Sequence, residues 1–285
     1  MMKGLVVVIC APSQGGKDFI AKKTMESLEQ VDEMKTSYAT SYKIREPRED
    51  DAEHITCVKD KTEIPVAESD QITATIYGTQ QLVYDKKEIS DNINNGEIVF
   101  ITTASPELAQ KIKKEFGRHS ILVFVKRQQV HADIMLVEDL NRHGKKIPPI
   151  YYDKPDSIVE DGFATEEEIK QAQKRVEKRL FWYEKMKPEY EDFVADRENG
   201  ADYIFKNWYT LMGGSWNTTI DEKSRTEFSS LCIFIMRVNR ENEREDSNWR
   251  ENPRFDWFDE EIRTKNIFTM QDEWIQYLVD KHEKE

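Results

Sequence analysis

The 285-residue sequence has few of the features that mark disulfide-rich, zinc-binding or membrane proteins. Its three cysteines, Cys10, Cys57 and Cys232, are scattered without metal-ligand spacing, so we expect neither a disulfide framework nor a zinc site. The longest apolar runs, such as residues 5–11, fall far short of the ~20 residues that a membrane span needs. The first residues carry no cleavage site of a secretory signal, so we expect a cytoplasmic location and no membrane partner.

Positive charge is also scarce. Lysine and arginine together number 42 against 55 aspartates and glutamates. The net charge of −13 argues against nucleic acid as a partner that the surface as a whole would bind non-specifically. A local basic pocket remains compatible with this balance. Hydrophobic residues make up 38% and charged residues 34%, and these proportions indicate a soluble globular protein that is long enough to bury a full core.

Strands and helices are predicted to alternate through the first two thirds of the chain. Residues 5–10 form a continuous apolar, β-branched run, which is typical of a strand buried on both faces of a parallel sheet. Further strands are predicted at residues 37–43, 72–76, 97–103, 121–125 and 201–205. Helices are predicted at residues 18–28, 80–94, 106–116, 129–142 and 166–187. This alternation predicts an α/β fold with a mostly parallel sheet and helices on both faces.

The pattern breaks twice, and the breaks predict the domain organisation. Prolines and a glycine interrupt the periodicity at residues 143–165, which predicts a loop. A Gly-Gly-Ser linker at residues 213–215 then leads into an acidic, aromatic segment. We predict a domain at residues 1–212 and an α+β C-terminal extension at 213–285, with a strand at 229–238 and a helix at 269–281.

A phosphate-binding loop is predicted between the first strand and the first helix. Small residues there let backbone N–H groups face phosphate oxygens, and the helix N-terminus adds partial positive charge. Lys17 can reach the β and γ phosphates of ATP. The residues predicted to bind ATP are Ala11, Pro12, Ser13, Gln14, Gly15, Gly16, Lys17, Asp18 and Phe19.

Two positions depart from the G-x-x-x-x-G-K-[ST] pattern of such loops. Ala11 replaces the first glycine, which adds only a methyl group. Asp18 replaces the serine or threonine that ligates Mg²⁺. Because its negative charge would repel phosphate, our hypothesis is that Asp18 binds Mg²⁺ directly or through water. The alternative is an ordinary tight turn in which Lys17 is solvated.

A pair of arginines is predicted to clamp a monophosphate. Arg45 and Arg48 lie three residues apart around Pro47, about thirty residues after the loop. Two guanidinium groups on a rigid turn can bind one phosphate through several charge-assisted hydrogen bonds. They could instead be surface charges beside a turn.

In order and spacing these segments resemble guanylate kinase over about residues 4–210. The resemblance implies a P-loop nucleoside monophosphate kinase-like fold with an acceptor-binding subdomain at about 35–80 and a lid at about 128–187. The acceptor-binding residues that it implies are Ser41, Arg45, Arg48, Glu68, Tyr77, Gly78 and Thr79. The lid arginines that it implies, which would close over the transferring phosphoryl group, are Arg142 and either Arg175 or Arg179.

Three positions differ from the guanylate kinase pattern. Residues 54–58 read H-I-T-C-V in place of D-Y-x-F-V, residues 101–104 read I-T-T-A where the family has D-x-D, and Asp18 follows Lys17. The G-K-D loop and Glu53-His54-Ile55 are similar to ribose 1,5-bisphosphate phosphokinase instead. Arg48 and Glu68 fit the guanylate pocket better.

The resemblance implies a transferase that uses ATP and Mg²⁺ to phosphorylate a small phosphorylated acceptor, with GMP or dGMP first. Two alternatives stay open, which are a kinase for ribose 1,5-bisphosphate or another sugar phosphate, and a non-catalytic binding module of the same fold. The expected partner is the small-molecule acceptor. The sequence leaves the oligomeric state open, and a homodimer is among the options.

Overall fold

The computed structural model describes residues 4–13, 15–32, 34–47, 51–76, 80–127, 132–145, 162–207, 222–242, 244 and 248–251. In chain order its strands are β1 (Leu5–Cys10), β2 (Thr36–Tyr38), β3 (Ser41–Ile44), β4 (Ile55–Val58), β5 (Gln71–Ile76), β6 (Gln80–Asp85), β7 (Ile98–Thr103), β8 (Ser120–Arg127) and β9 (Tyr203–Asn207). Its helices are α1 (Lys17–Asp32), α2 (Lys86–Asn94), α3 (Pro106–Phe116), α4 (Ala132–Arg142), α5 (Glu166–Ala195) and α6 (Glu222–Asn242).

Five strands form a parallel sheet in the order β2-β7-β1-β8-β9. The central strand β1 is buried throughout because helices cover both faces. Its even-numbered residues, such as Val8, pack into a cluster with side chains of α2, α3 and α5. Its odd-numbered residues, such as Val7, pack into a cluster with side chains of α1 and α6. The predicted α/β class, with a mostly parallel sheet and helices on both faces, is confirmed.

A second, four-stranded sheet has the order β4-β3-β6-β5. In it β3 pairs in parallel with β4 and antiparallel with β6, which also pairs antiparallel with β5. One face of β5 and β6, including Ile72 and Leu82, joins the main core cluster. Lys111 of α3 also donates a hydrogen bond of 2.9 Å to the carbonyl oxygen of Thr73. The small sheet is therefore fixed to the large one.

The single strand predicted at residues 37–43 is wrong, because the chain changes sheets within it. Residues 36–38 pair with β7, whereas residues 41–44 pair with β4 and β6. Between them the backbone N–H of Ala39 donates to Phe100 O at 3.0 Å. The hydroxyl of Thr40 donates to Glu88 at 2.9 Å.

The helix predicted at residues 80–94 begins too early. Residues 80–85 form β6, in which Leu82, Val83 and Tyr84 are buried. Asp85 then caps α2 by accepting hydrogen bonds from the backbone N–H groups of Lys87 and Glu88. Antiparallel pairing with β5 therefore outweighs the helical pattern over the first six residues.

The strand predicted at residues 229–238 is also wrong, because this segment lies within α6. Buried Phe228, Leu231, Ile235 and Val238 recur at intervals of three and four, and α6 packs them against the sheet. The described part of the predicted extension therefore contains a helix, α6, that packs on the large sheet. The linker at 213–215 and the helix predicted at 269–281 lie outside the described residues, as does most of the predicted loop at 143–165.

Other predicted elements agree more closely with the structure. α3 has the predicted bounds, and α5 begins at the predicted residue but continues to Ala195. A capping box of Thr165 and Glu168 starts α5. Among the helices described here, none is both long enough and apolar enough to cross a membrane.

The last described residues are fastened to the amino ends of β8 and β9. Arg250 donates hydrogen bonds to Gly117 O at 2.8 Å and Ser120 O at 2.6 Å. It also forms an ion pair of 3.2 Å with the buried Asp202, which binds Lys113 at 2.9 Å. This clamp lies at the edge of the sheet opposite the loop between β1 and α1.

Arg250→Ala should lower the free energy of unfolding by about 2–4 kcal/mol, because Asp202 loses one of its cations and two carbonyl groups lose a donor. Urea unfolding followed by tryptophan fluorescence measures the change. Arg244→Ala is the matched control, since that side chain is 75% exposed and its pair with Glu241 should contribute less than about 0.5 kcal/mol. Equal losses in the two variants would contradict the clamp.

Candidate phosphoryl-transfer site

The loop between β1 and α1 is held by the end of β9. Gly16 has a φ of +87°, and a Cβ added there would lie 2.7 Å from Nδ2 of Asn207. The same nitrogen donates a hydrogen bond of 3.0 Å to the carbonyl oxygen of Gly15. The backbone N–H of Gly15 donates to Pro12 O at 2.9 Å, which tightens the turn. The loop thus leads directly into the N-terminus of α1, where Lys17 is the first helical residue.

Asp18 lies beside Lys17 and is held by a hydroxyl group from β7. The Oγ1 atom of Thr102 donates a hydrogen bond of 2.6 Å to Oδ1 of Asp18. Oδ2 lies 3.3 Å from Nζ of Lys17, and the Asp18 side chain is 69% exposed. Desolvation raises the pKa of Asp18, but the charge of Lys17 and the Thr102 hydrogen bond outweigh it, so the pKa is lowered overall. The carboxylate is therefore fixed in its charged form while it faces solvent.

The small sheet brings a second group of polar side chains to this edge. Ser41 and Lys43 alternate on β3 and therefore lie on one face. Arg45 follows the strand in a turn, where its backbone N–H donates to Lys43 O at 3.1 Å. Tyr84 is opposite Ser41 in the register of β3 and β6. The Tyr84 hydroxyl donates to the carbonyl oxygen of Thr102 at 3.4 Å, which joins this face to the end of β7.

Lys43 is the cation that links the two groups. Burial lowers its pKa, and the charges of Arg45 and then Lys17 lower it further, while Asp51 and Asp18 act in the opposite direction. These interactions require that Lys43 lie within electrostatic range of both the loop and Arg45. The charges of Lys17, at the start of α1, and of Lys43 and Arg45, from the small sheet, therefore act on one another at this edge.

Arg45 is engaged by an acidic neighbour. Its Nη1 atom donates to Asp51 Oδ2 at 2.8 Å, Nη2 pairs with Oδ1, and both side chains are only 14% exposed. The Cys57 thiol also donates to Asp51, at 3.3 Å. The paired carboxylate holds the guanidinium in one orientation.

An aromatic stack closes the junction between the sheets. The rings of Tyr38, at the end of β2, and His54, just before β4, stack with centroids 4.2 Å apart. Burial lowers the pKa of His54 despite the opposing charge of Asp18. His54 is therefore favoured as the neutral imidazole at neutral pH.

Two of the predicted lid arginines share one buried carboxylate. Arg175 of α5 donates to Oδ2 of Asp139 from Nε at 2.9 Å and from Nη2 at 2.7 Å. Arg179, one turn later, pairs with Oδ1 of the same residue. Asp139 lies on α4 and is fully buried. Farther along α5, Tyr190 donates to Ala104 O at 2.6 Å, which ties this helix to the end of β7.

Several predicted site residues lie elsewhere or outside the described residues. Glu68 is 85% exposed and pairs with Lys61 at 3.3 Å on the surface of the small sheet, so its base-reading role stays a prediction. Phe19 packs in the cluster under α6, with its ring 6.4 Å from that of Phe228. The predicted residues outside the description are Gln14, Arg48, Tyr77, Gly78, Thr79 and the side chain of Arg142.

Four residues of this region were missed by the sequence analysis. Lys43 could have been found from its alternation with Ser41, because such spacing places side chains on one face of a strand. Thr102 and Asn207 end strands of the parallel sheet, which is where ligands bind in such folds. Nothing in the sequence connects Asp139 with Arg175. Within the described ranges, no three His, Cys, Asp or Glu side chains are grouped to hold a metal by themselves.

Among known proteins, similarity to this chain is found in solved structures. No protein-family model matches the sequence, and no curated protein matches it. Among solved structures, the chain is similar to guanylate kinase from Anaplasma phagocytophilum, with 13% sequence identity and a TM-score of 0.45. The match covers 95% of this chain and 100% of that one. At this level the likeness carries no argument about function.

Gly16→Ala should weaken ATP binding and lower the free energy of unfolding by more than about 1 kcal/mol, because the new Cβ adds to backbone strain and displaces Asn207. Calorimetric titration and urea unfolding measure the two effects. Gly144→Ala is the control, since Gly144 has a φ of +68° and no described atom would lie within 4 Å of its added Cβ. A Gly16 variant no worse than the Gly144 variant would exclude the proposed crowding.

Asp139→Asn should lower the free energy of unfolding at pH 7 by about 3 kcal/mol, because two arginines lose a buried carboxylate. Burial raises the pKa of Asp139, but the hydrogen bond and charge of its arginines lower it overall, below the ordinary 3.8. Its stabilisation is therefore present above pH 3.8 and lost as the pH falls through the lowered pKa.

Urea unfolding between pH 7 and pH 2.5 measures this dependence on pH. The difference between the wild type and the Asp139→Asn variant should shrink at the acidic end. Glu189→Gln, at an exposed position of α5, is the control. A difference that stays constant down to pH 2.5 would contradict the ion-paired assignment.

Proposed function

We propose that this chain is an ATP-dependent phosphotransferase that moves the γ-phosphoryl group of ATP to a small phosphorylated acceptor, with GMP or dGMP as the first candidates. The observation that carries the proposal is the joining of the two sheets beside Lys17: Tyr84, opposite Ser41 of β3, contacts the Thr102 carbonyl, and the Thr102 hydroxyl donates to Asp18. The charges of Lys17, Lys43 and Arg45 act on one another there. Transfer between two phosphates brings like charges together, and positive charge between them lowers that barrier.

The donor side of the proposal rests on the loop and α1. The positive φ of Gly16 and the contact with Asn207 give the tight turn that a phosphate cradle requires. Lys17 would bind the β and γ phosphates from the start of the helix. Mg²⁺, when bound, neutralises phosphate charge, and Asp18 is the carboxylate that would hold it. One fixed carboxylate suits Mg²⁺, which takes its remaining ligands from water and substrate phosphates.

The acceptor side rests on β3 and the turn after it. Arg45 and Arg48 would orient the acceptor phosphate, with Tyr77 beside them, while Ser41 and the surface residue Glu68 are the proposed contacts to a base. An oxygen of the acceptor phosphate forms a bond to the γ phosphorus. The bond from that phosphorus to the bridging oxygen breaks, and its electron pair stays on ADP. Arg175 and Arg179 would complete the charge neutralisation from the lid side.

A sugar phosphate is the second candidate acceptor. His54 lies at the junction of the two sheets, stacked on Tyr38 and within range of Asp18. Thr102 occupies the strand end at which guanylate kinases carry carboxylates. Both features belong to the pattern by which the sequence resembles ribose 1,5-bisphosphate phosphokinase.

The proposal predicts ADP release from ATP and Mg²⁺ in the presence of one acceptor among GMP, dGMP, AMP, dTMP, CMP and ribose 1,5-bisphosphate. Lys17→Ala should reduce turnover at least 100-fold, because one preorganised cation is lost from the transition state. A coupled assay with the purified full chain measures both effects.

Lys22→Ala is the matched control, since Lys22 is exposed on the same helix. Thermal unfolding should confirm that both variants are folded. Turnover that survives in Lys17→Ala would refute the assignment of the loop. A folded wild-type chain that binds ATP weakly and turns over none of the acceptors would instead favour the non-catalytic binding module.

A further inference from the structure

Lys43 is a partly buried cation. Within the described part of the chain, its ammonium group makes no hydrogen bond and no ion pair. Its strand neighbour Arg45, in contrast, is paired with Asp51. Lysines that are withdrawn from water are usually paired, so an unpaired one at a site needs an explanation.

The position of Lys43 is fixed by the small sheet. Its backbone lies opposite Leu82 of β6 and Cys57 of β4, in the interior of β3. Ser41, two residues earlier on the same face, lies opposite Tyr84, whose hydroxyl contacts the Thr102 carbonyl. Lys43 is therefore carried by the face that meets the carboxyl edge of the large sheet.

The charged groups around Lys43 belong to both sides of the site. Arg45 and Lys17 repel it, and Asp51 and Asp18 attract it. Asp51 is already paired with Arg45, and Asp18 with Lys17 and Thr102. Neither carboxylate is thus committed to Lys43, and an added anion would reduce the repulsion among the three cations.

We propose that Lys43 is a catalytic residue whose ammonium group contacts the transferring phosphoryl group between the loop and Arg45. This inference rests on the proposed function. Lys43 would act on the γ-phosphoryl oxygens of bound ATP and on the negative charge that they carry during transfer. Lys17 would share the γ phosphate with Lys43 and would bind the β phosphate alone. Lys43 therefore distinguishes ATP from ADP.

The test compares Lys43→Met, Lys43→Arg and wild type in calorimetric titrations with ATP and with ADP, each in MgCl₂. Lys43→Met should weaken ATP binding at least tenfold and ADP binding less than twofold, because one charge-assisted hydrogen bond is lost only with ATP. Lys43→Arg should recover part of the loss. With an acceptor from the assay above, Lys43→Met should lower kcat about 100-fold at saturation.

Thermal unfolding separates this role from a structural one. Because burial and two cations disfavour the charged lysine, the Tm of Lys43→Met should equal or exceed that of the wild type. Lys59→Met, at an exposed position just after β4, is the control and should change neither affinity nor Tm. A lowered Tm with parallel losses for ATP and ADP would overturn the inference.

The result also separates this inference from the proposed function. If the wild type binds and uses ATP while Lys43→Met does so equally well, only the role of Lys43 fails. If the wild type binds neither ATP nor ADP, the phosphotransferase proposal fails and the role of Lys43 fails with it.

Discussion

The crossing of the chain from β2 to β3 is the constraint on which the site depends. Ala39 still pairs with Phe100 of the large sheet, Thr40 is held by Glu88 of α2, and Ser41 already belongs to the small sheet. Because β1 and β2 are parallel to β7, the crossing begins at the edge of the sheet where the β1–α1 loop lies. Two residues, Ala39 and Thr40, therefore carry the chain from this edge into β3, which holds Lys43.

The charges around the site differ in how far they are compensated. Arg45 and Asp51 form a closed pair, and Asp139 holds Arg175 and Arg179 in a buried network. Such networks stabilise when complete and destabilise when one member is removed. Among the described residues Lys43 has no such partner, and its partly buried position disfavours its charge. A cation kept under these conditions is typical of a site that is completed by an anionic ligand.

Local patterns explain why some elements were predictable. β1 is a continuous apolar run because both faces are covered, and α3 is marked by its Ser105 cap and first-turn Pro106. The failures occur where two patterns compete. Residues 80–85 carry buried apolar residues that suit either a strand or a helix, and pairing with β5 decides between them. Residues 229–238 form a helix because their apolar stripe packs on the large sheet.

The sequence by itself determined the α/β class and the presence of cations after β2, and it holds the pattern that predicts a phosphate-binding loop, because these depend on residues close together in the chain. The tertiary structure decided which groups meet. Asn207 reaches Gly15 across 192 residues, and Thr102 reaches Asp18 across 84. It also placed Asp139 against Arg175 and Arg179, the arginines predicted for the lid, and it left Glu68 exposed. Such contacts follow from strand order and the change of sheet, which no local spacing encodes.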